Sequence, residues 1–99
     1  MHYVYFLWST KLGKIYIGES TDVINRLDYH NRGLQRYTKC GIPWKLIRFV
    51  NFKNRKEALG EEKRLKKCKN KKYYKYYLLE NGKKIKPPNS GVSLDQVGI

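Results

Sequence analysis

Apolar and polar positions divide the chain into short segments of alternating strand-like and helix-like character. Tyr3 to Trp8 is an unbroken run of aromatic and branched residues, the composition of a strand. Ser9 to Lys14, with Gly13, supplies a turn, and Ile15 to Glu19 forms the return strand of a hairpin. Strand alternation puts Tyr3, Tyr5 and Leu7 on one face and Val4, Phe6 and Trp8 on the other. In the return strand Tyr16 and Gly18 face away from Ile15 and Ile17, so a suitable register lets Tyr5 and Tyr16 approach across the hairpin. A helix follows, with Thr21 or Ser20 as N-cap, Asp22 at its positive end and Gly33 as its stop. Helical periodicity groups Val23, Leu27 and His30 on one face with Arg26 at its edge. Arg26 and His30 are also an i, i+4 pair whose side chains can converge.

Residues 33 to 43 read as a polar loop carrying Arg36, Lys39 and Gly41. Trp44 to Phe52 reads as a third strand, buried on at least one face, with Trp44 in the core. Asn54 to Cys68 is a second helix capped by Asn54, with Glu57 three residues on. Asn70 to Glu80 is a third helix, rich in lysine and tyrosine and ended by Asn81-Gly82. From Lys83 onward, Pro87-Pro88 and Ser90-Gly91 suggest a tail. The expected fold is therefore α/β: a small three-stranded, mainly antiparallel sheet flanked by helices, in the order β-β-α-β-α-α. Residues 1–82 would form the one domain and residues 83–99 the tail.

Charge sharpens this picture. The 99 residues carry 22 Lys and Arg against 8 Asp and Glu, a formal net charge of +14. Such a field draws polyanions, nucleic acid above all. Half of the basic residues lie between Lys63 and Lys86, interleaved with Tyr73, Tyr74, Tyr76 and Tyr77. Taken alone, that run equally describes a helix with tyrosines packed inward and lysines in solvent. Cys40 and Cys68 have no partners at zinc-ligand spacing and fit two reduced thiols. No apolar stretch reaches bilayer length, and no leader precedes His2. The expectation is a soluble, cytoplasmic protein.

The candidate chemistry concentrates in Tyr3 to His30, where two phenols, a guanidinium and an imidazole lie on adjoining rigid elements, a set suited to a phosphate. In the second half Glu62 stands out. It falls in the middle of a thin apolar helix face made by Ala58, Leu59 and Leu65. A carboxylate there is costly unless paired or bound to a cation. A salt bridge to Arg26 would satisfy it without metal.

Tyr3-Val4-Tyr5 followed by Tyr16-Ile17-Gly18 resembles the paired signature of the GIY-YIG endonucleases. Arg26, His30 and Glu62 fall where that family carries an arginine, a histidine or tyrosine, and a metal-binding glutamate. Pro43-Trp44-Lys45-Leu46 and the run from Glu62 to Lys67 resemble the small standalone members, themselves similar to the nuclease domain of the incision subunit of bacterial nucleotide-excision repair. The similarity covers about residues 2 to 81. It implies a DNA endonuclease, with a link to DNA repair, that uses Mg²⁺ or Mn²⁺; a single compact site would cut one strand at a time. Glu62 would hold the metal, Arg26 would fork onto phosphate oxygens, and Tyr5 and Tyr16 would orient water. Tyr5 is the favoured general base, assisted by Tyr16 and His30. A phenol titrates near about 10, so this role needs a cation beside it, and His30 is its rival. Arg36, Lys39, Lys63, Lys66, Lys67 and Lys71 are candidate nucleic-acid contacts, and Gly18 and Asn81 candidate accessory residues.

The chain departs from the family pattern at three places. Tyr3 replaces the leading glycine of the signature. Glu19 stands where some relatives have a lysine, and a carboxylate there could bind metal or raise a neighbour's pKa. The late asparagine of some relatives is matched best by Asn81, with Asn70 and Asn89 competing. Two other functions compete with the nuclease: a catalytically silent DNA- or RNA-binding module, and an RNA- or ribosome-associated structural protein.

Overall fold

The computed structural model describes residues 1–83. Strand β1 (His2–Ser9) is the centre of the sheet. It pairs antiparallel with β2 (Lys14–Ser20) on one side and with β3 (Trp44–Phe52) on the other. Val4, Phe6 and Leu7 are fully buried and Tyr5 is 2% exposed, so β1 has no polar face over this stretch. A strand of this kind needs both sides of its sheet covered. The three helices divide that work.

Helices α2 (Arg55–Cys68) and α3 (Lys71–Asn81) cover the face of Val4, Phe6 and Trp8. Ile17, Ile47 and Val50 extend this core within the sheet, and Ala58, Leu65, Tyr74, Tyr77 and Leu78 close it from the helices. Helix α1 (Val23–Asn31) and the segment after it cover the opposite face, where Tyr5, Leu7 and Leu46 meet Val23 and Trp44. The facings expected from alternation therefore hold throughout the hairpin. The sheet is wholly antiparallel, and the element order is the expected β-β-α-β-α-α, with one short 3₁₀ turn (Lys39–Gly41) added in the loop.

Local chemistry sets the boundaries. Gly13 closes the hairpin at φ +62°, donating its N–H to the Ser9 carbonyl at 2.8 Å. Helix α1 is capped by Asp22 and not by Thr21 or Ser20: the Asp22 carboxylate accepts from Asn25 N at 3.1 Å. Ser20 turns its hydroxyl to the Asp22 backbone instead. Asn54 caps α2 and Asn70 caps α3, each side chain accepting from the N–H three residues on. Tyr74, Tyr77 and partly buried Tyr73 pack inward from α3, whereas Tyr76 is 64% exposed.

Two features of β3 were not legible in its sequence. Between Phe6 and Leu7 the pairing slips by one residue, a bulge in β3 that sends Ile47 into the core while Arg48 donates to the Leu78 carbonyl of α3. Lys83 pairs through its backbone with Phe49, an antiparallel bridge along β3. The first residue assigned to the tail is thus hydrogen-bonded to the sheet. The rest of that tail, with Asn89, lies outside the described residues.

Candidate active site

Tyr5 stands directly opposite Gly18 in the β1–β2 register. A Cβ at residue 18 would overlap the Tyr5 hydroxyl and come within 2.5 Å of its Cζ. The glycine is required by the close approach of the ring and leaves the phenol room to lie across β2. There the Tyr5 hydroxyl and His30 Nε2 are 2.9 Å apart, a buried hydrogen bond joining the central strand to α1.

The direction of that bond follows from the next partner. His30 Nδ1 lies 2.8 Å from the Thr38 hydroxyl. We assign the Thr38 proton to the Gln35 carbonyl, 3.4 Å away, so that Thr38 accepts from His30 Nδ1–H and the buried Tyr5 phenol has an acceptor. Nε2 is left as the acceptor, and the Tyr5 phenol donates to it. His30 and Thr38 are fully buried, and the Trp44 indole N–H holds the Thr38 carbonyl at 2.7 Å. Burial, reinforced by the Arg26 guanidinium, lowers the His30 pKa to about 4 and keeps the imidazole neutral. Burial raises the Tyr5 pKa well above that of a free phenol; the Tyr16 phenol and the Glu62 and Glu19 carboxylates add to the rise, and Arg26 opposes it.

Tyr16 lies diagonally across the hairpin, opposite Leu7, with its ring centroid 6.4 Å from that of Tyr5 and 5.0 Å from that of His30. Its hydroxyl accepts from Gln35 Nε2 at 3.1 Å. The Tyr37 and Trp44 rings stand 6.1 Å away. Arg26 sits with its guanidinium 4.8 Å from the Tyr29 ring centroid, close enough for its charge to act on both Tyr5 and His30. Glu62 adds to the field at Tyr5, and through Lys66, which lies 5.3 Å from the Tyr16 ring centroid, it borders this cluster. Its ion partner is Lys66, at 3.4 Å on the same helix, and not Arg26. One turn of α2 separates the pair, with the acid N-terminal to the base, the favourable orientation.

Glu19 is engaged by the protein itself. Its carboxylate meets His2 Nδ1 at 2.8 Å and Arg55 Nε at 4.0 Å, and its side chain is 11% exposed. It also raises the Tyr5 pKa, one of the two roles open to it from sequence. Asn81 ends α3 and donates to the Tyr77 carbonyl; no hydrogen bond or ion pair among the described residues links it to this cluster. Asn70 is occupied as the α3 cap.

Arg36, Lys39, Lys63, Lys66, Lys67 and Lys71 are all exposed. Lys66 and Lys71 line a groove of about 700 Å³ that also takes in Lys14, Lys69, Tyr16, Gln35 and Tyr37. Lys71 spans back to the hairpin, donating to the Gly13 carbonyl at 2.9 Å. Thr38, Gln35 and Tyr37 went unrecognised in the sequence because loop residues follow no periodicity. A buried threonine hydroxyl has no signature apart from the fold.

A sequence model of the GIY-YIG catalytic domain matches residues 1–76. The chain belongs to the GIY-YIG family. Curated relatives extend the likeness. A UPF0213 protein of Streptococcus pneumoniae is 40% identical over 68 residues, covering 68% of each chain. A UPF0213 protein of Listeria monocytogenes is 41% identical over 76 residues, 74% of this chain and 84% of its own. One from Haloquadratum walsbyi is 35% identical over 88 residues, 88% of this chain and 96% of its own. No solved structure matches. The GIY-YIG family is one of nucleases, and membership implies binding to nucleic acid. No helix among the described residues is long and apolar enough to cross a membrane.

Two outcomes follow from this GIY-YIG geometry. His30 has a folded pKa of about 4 and an unfolded one near 6.5. Between these values the unfolded chain binds a proton that the folded chain refuses. Stability from a neutral His30 is therefore full above about pH 6.5 and is lost as pH falls toward about 4. Urea titrations across this window should show a steeper loss for wild type than for His30→Gln; parallel slopes would show that His30 titrates normally. Gly18→Ala should destabilise the fold by about 1–3 kcal/mol, the usual cost of overpacking, read as a lower urea midpoint. An unchanged midpoint would mean that the Tyr5 ring has free space to move.

Proposed function

We propose that the protein is a divalent-metal-dependent endonuclease that hydrolyses DNA phosphodiester bonds, one strand at a time. The observation that carries this reading is the Tyr5–His30 hydrogen bond, a protonated phenol donating to a neutral, buried imidazole within the field of Arg26. In a binding protein the pair would serve the fold alone, joining β1 to α1. A hydrolase has a further use for it, because an attacking water must lose a proton.

In this scheme Tyr5 takes a proton from the attacking water as its own phenolic proton passes to His30 Nε2. The relay answers the difficulty of a tyrosine base at neutral pH: the phenol need never ionise alone, since its acceptor is already hydrogen-bonded at 2.9 Å. Burial is the main depressant of His30; the negative charge of the bound phosphodiester offsets the smaller Arg26 contribution and so eases the proton's transfer. Thr38 fixes the tautomer in which Nε2 is free to accept. Arg26 has an aromatic neighbour and no ion pair among the described residues, so its guanidinium is open to two phosphate oxygens. Tyr16, anchored by Gln35, orients the same phosphate or its water.

Among the described residues no three His, Cys, Asp or Glu side chains gather to hold a metal. Glu62 would be the protein ligand, alone. That donor set fits Mg²⁺, a hard cation that keeps most of its waters and takes one or two carboxylates with substrate phosphate. Such a cation, when bound, supplies charge neutralisation at the phosphate and acidifies water. The basic groove beside Tyr16 offers a track for the strand, with Lys14, Lys66, Lys69 and Lys71 toward phosphates and Tyr37, 78% exposed, toward a base. With a single compact site, each encounter breaks one strand.

Nicking of supercoiled plasmid with Mg²⁺ or Mn²⁺ tests the reading. Wild type should nick, and Glu62→Ala and Arg26→Ala should each lose at least about 10²-fold in rate, the usual weight of a group that stabilises transition-state charge. Glu62→Ala should still bind DNA. Salt-sensitive binding by wild type without nicking would favour the silent binding module instead.

A further inference from the structure

Glu62 carries its own cation. The Lys66 ammonium lies 3.4 Å from Glu62 Oε2 and 5.3 Å from the centroid of the Tyr16 ring, between the acidic and the aromatic members of the cluster. The two ends of this ion pair differ in their surroundings. The Glu62 side chain is 16% exposed, whereas that of Lys66 is 47% exposed and also lines the groove. Both stand on α2, but the carboxylate is largely enclosed, whereas the half-exposed ammonium sits on a longer stem that can turn toward the groove. A divalent cation and Lys66 would compete for the same oxygens, because two positive charges at one carboxylate repel each other.

We infer that Lys66 is a displaceable counter-cation that guards Glu62 and couples metal binding to nucleic-acid binding. This inference rests on the reading of Glu62 as the cation's ligand. In the free protein Lys66 neutralises the half-buried carboxylate and weakens its hold on a metal ion. A phosphate entering the groove gives the ammonium a second anionic partner. As Lys66 turns toward it, Glu62 is released at the place and time that a substrate arrives. By linkage, each ligand strengthens the other. Lys66 is thus a positioning residue for the metal as well as a phosphate contact, a role not separable from general groove charge by sequence alone.

The test measures Mn²⁺ affinity by electron paramagnetic resonance, with and without a short phosphorothioate DNA oligonucleotide that resists cleavage. Lys66→Gln should bind Mn²⁺ about 3-fold more tightly than wild type in the absence of DNA, the scale of a partly exposed ion pair. The gain in Mn²⁺ affinity on adding oligonucleotide should be about 3-fold smaller in Lys66→Gln than in wild type. Lys66→Arg should restore wild-type behaviour, and Lys56→Gln, the same charge change elsewhere on α2, should leave Mn²⁺ affinity unaltered. Glu62→Gln identifies the site by abolishing it. Glu62-dependent Mn²⁺ binding that is equal in wild type and Lys66→Gln, with equal gains from DNA, would overturn the counter-cation and leave the metal reading standing. A wild type without Glu62-dependent binding, beside a Lys66→Gln that also lacks it, would overturn both.

Discussion

The structure turns on one buried hydrogen bond, from the Tyr5 phenol to His30 Nε2. It links the two parts of the fold that must be in register for any chemistry: the centre of the sheet and the helix laid over it. Tyr5 reaches it only because residue 18 of the neighbouring strand has no side chain. His30 can accept it only because Thr38, in a loop, takes the proton of the other ring nitrogen. The loop in turn is held by Trp44 through the Thr38 carbonyl, and Asn31 binds the Trp44 backbone on both its N–H and C=O. Each step is an ordinary hydrogen bond. Together they fix a proton donor and acceptor in a site from which water is largely excluded, where such bonds are strongest.

Electrostatics gives the pair its meaning. Burial pushes Tyr5 toward its neutral acid form and His30 toward its neutral base form, so both are poised on the uncharged side of a proton transfer. Arg26 acts on both in opposite senses of use, easing ionisation of the phenol while opposing that of the imidazole. An anionic substrate offsets the second effect and leaves burial as the main restraint on His30. The net charge of +14 supplies the long-range attraction, and the groove lysines the local one. The carboxylates are few and individually placed: Glu19 with His2 and Arg55, Glu61 with Arg64 and Tyr77, Glu62 with Lys66. Of these, Glu62 alone pairs with a residue that also lines the groove.

Much of this was readable from the chain because its signals are local. Alternation along Tyr3–Trp8 gave both faces of β1, and the signature placed Tyr16 and Gly18 on the strand beside it. The two tyrosines approach as diagonal neighbours, Tyr5 opposite Gly18 and Tyr16 opposite Leu7, a register that no propensity encodes. The α1 cap was misplaced because Ser20, Thr21 and Asp22 are all competent caps, and only the path of the chain selects among them. Glu62 pairs with Lys66, and not with the Arg26 of the metal-free alternative, for a related reason. Arg26 is distant in sequence and attractive in chemistry, whereas Lys66 sits one helical turn away. Thr38, Gln35 and Tyr37 belong to a loop with no period to betray them, and the Ile47 bulge depends on how β3 meets its neighbour.

The most direct test of this account is long-range ¹⁵N–¹H correlation of the His30 imidazole between pH 4 and 8, in wild type and Tyr5→Phe. The account predicts a protonated Nδ1, an unprotonated Nε2 that shifts on loss of the phenol, and no titration until pH nears about 4. A proton on Nε2, or titration near the ordinary value of about 6.5, would contradict it.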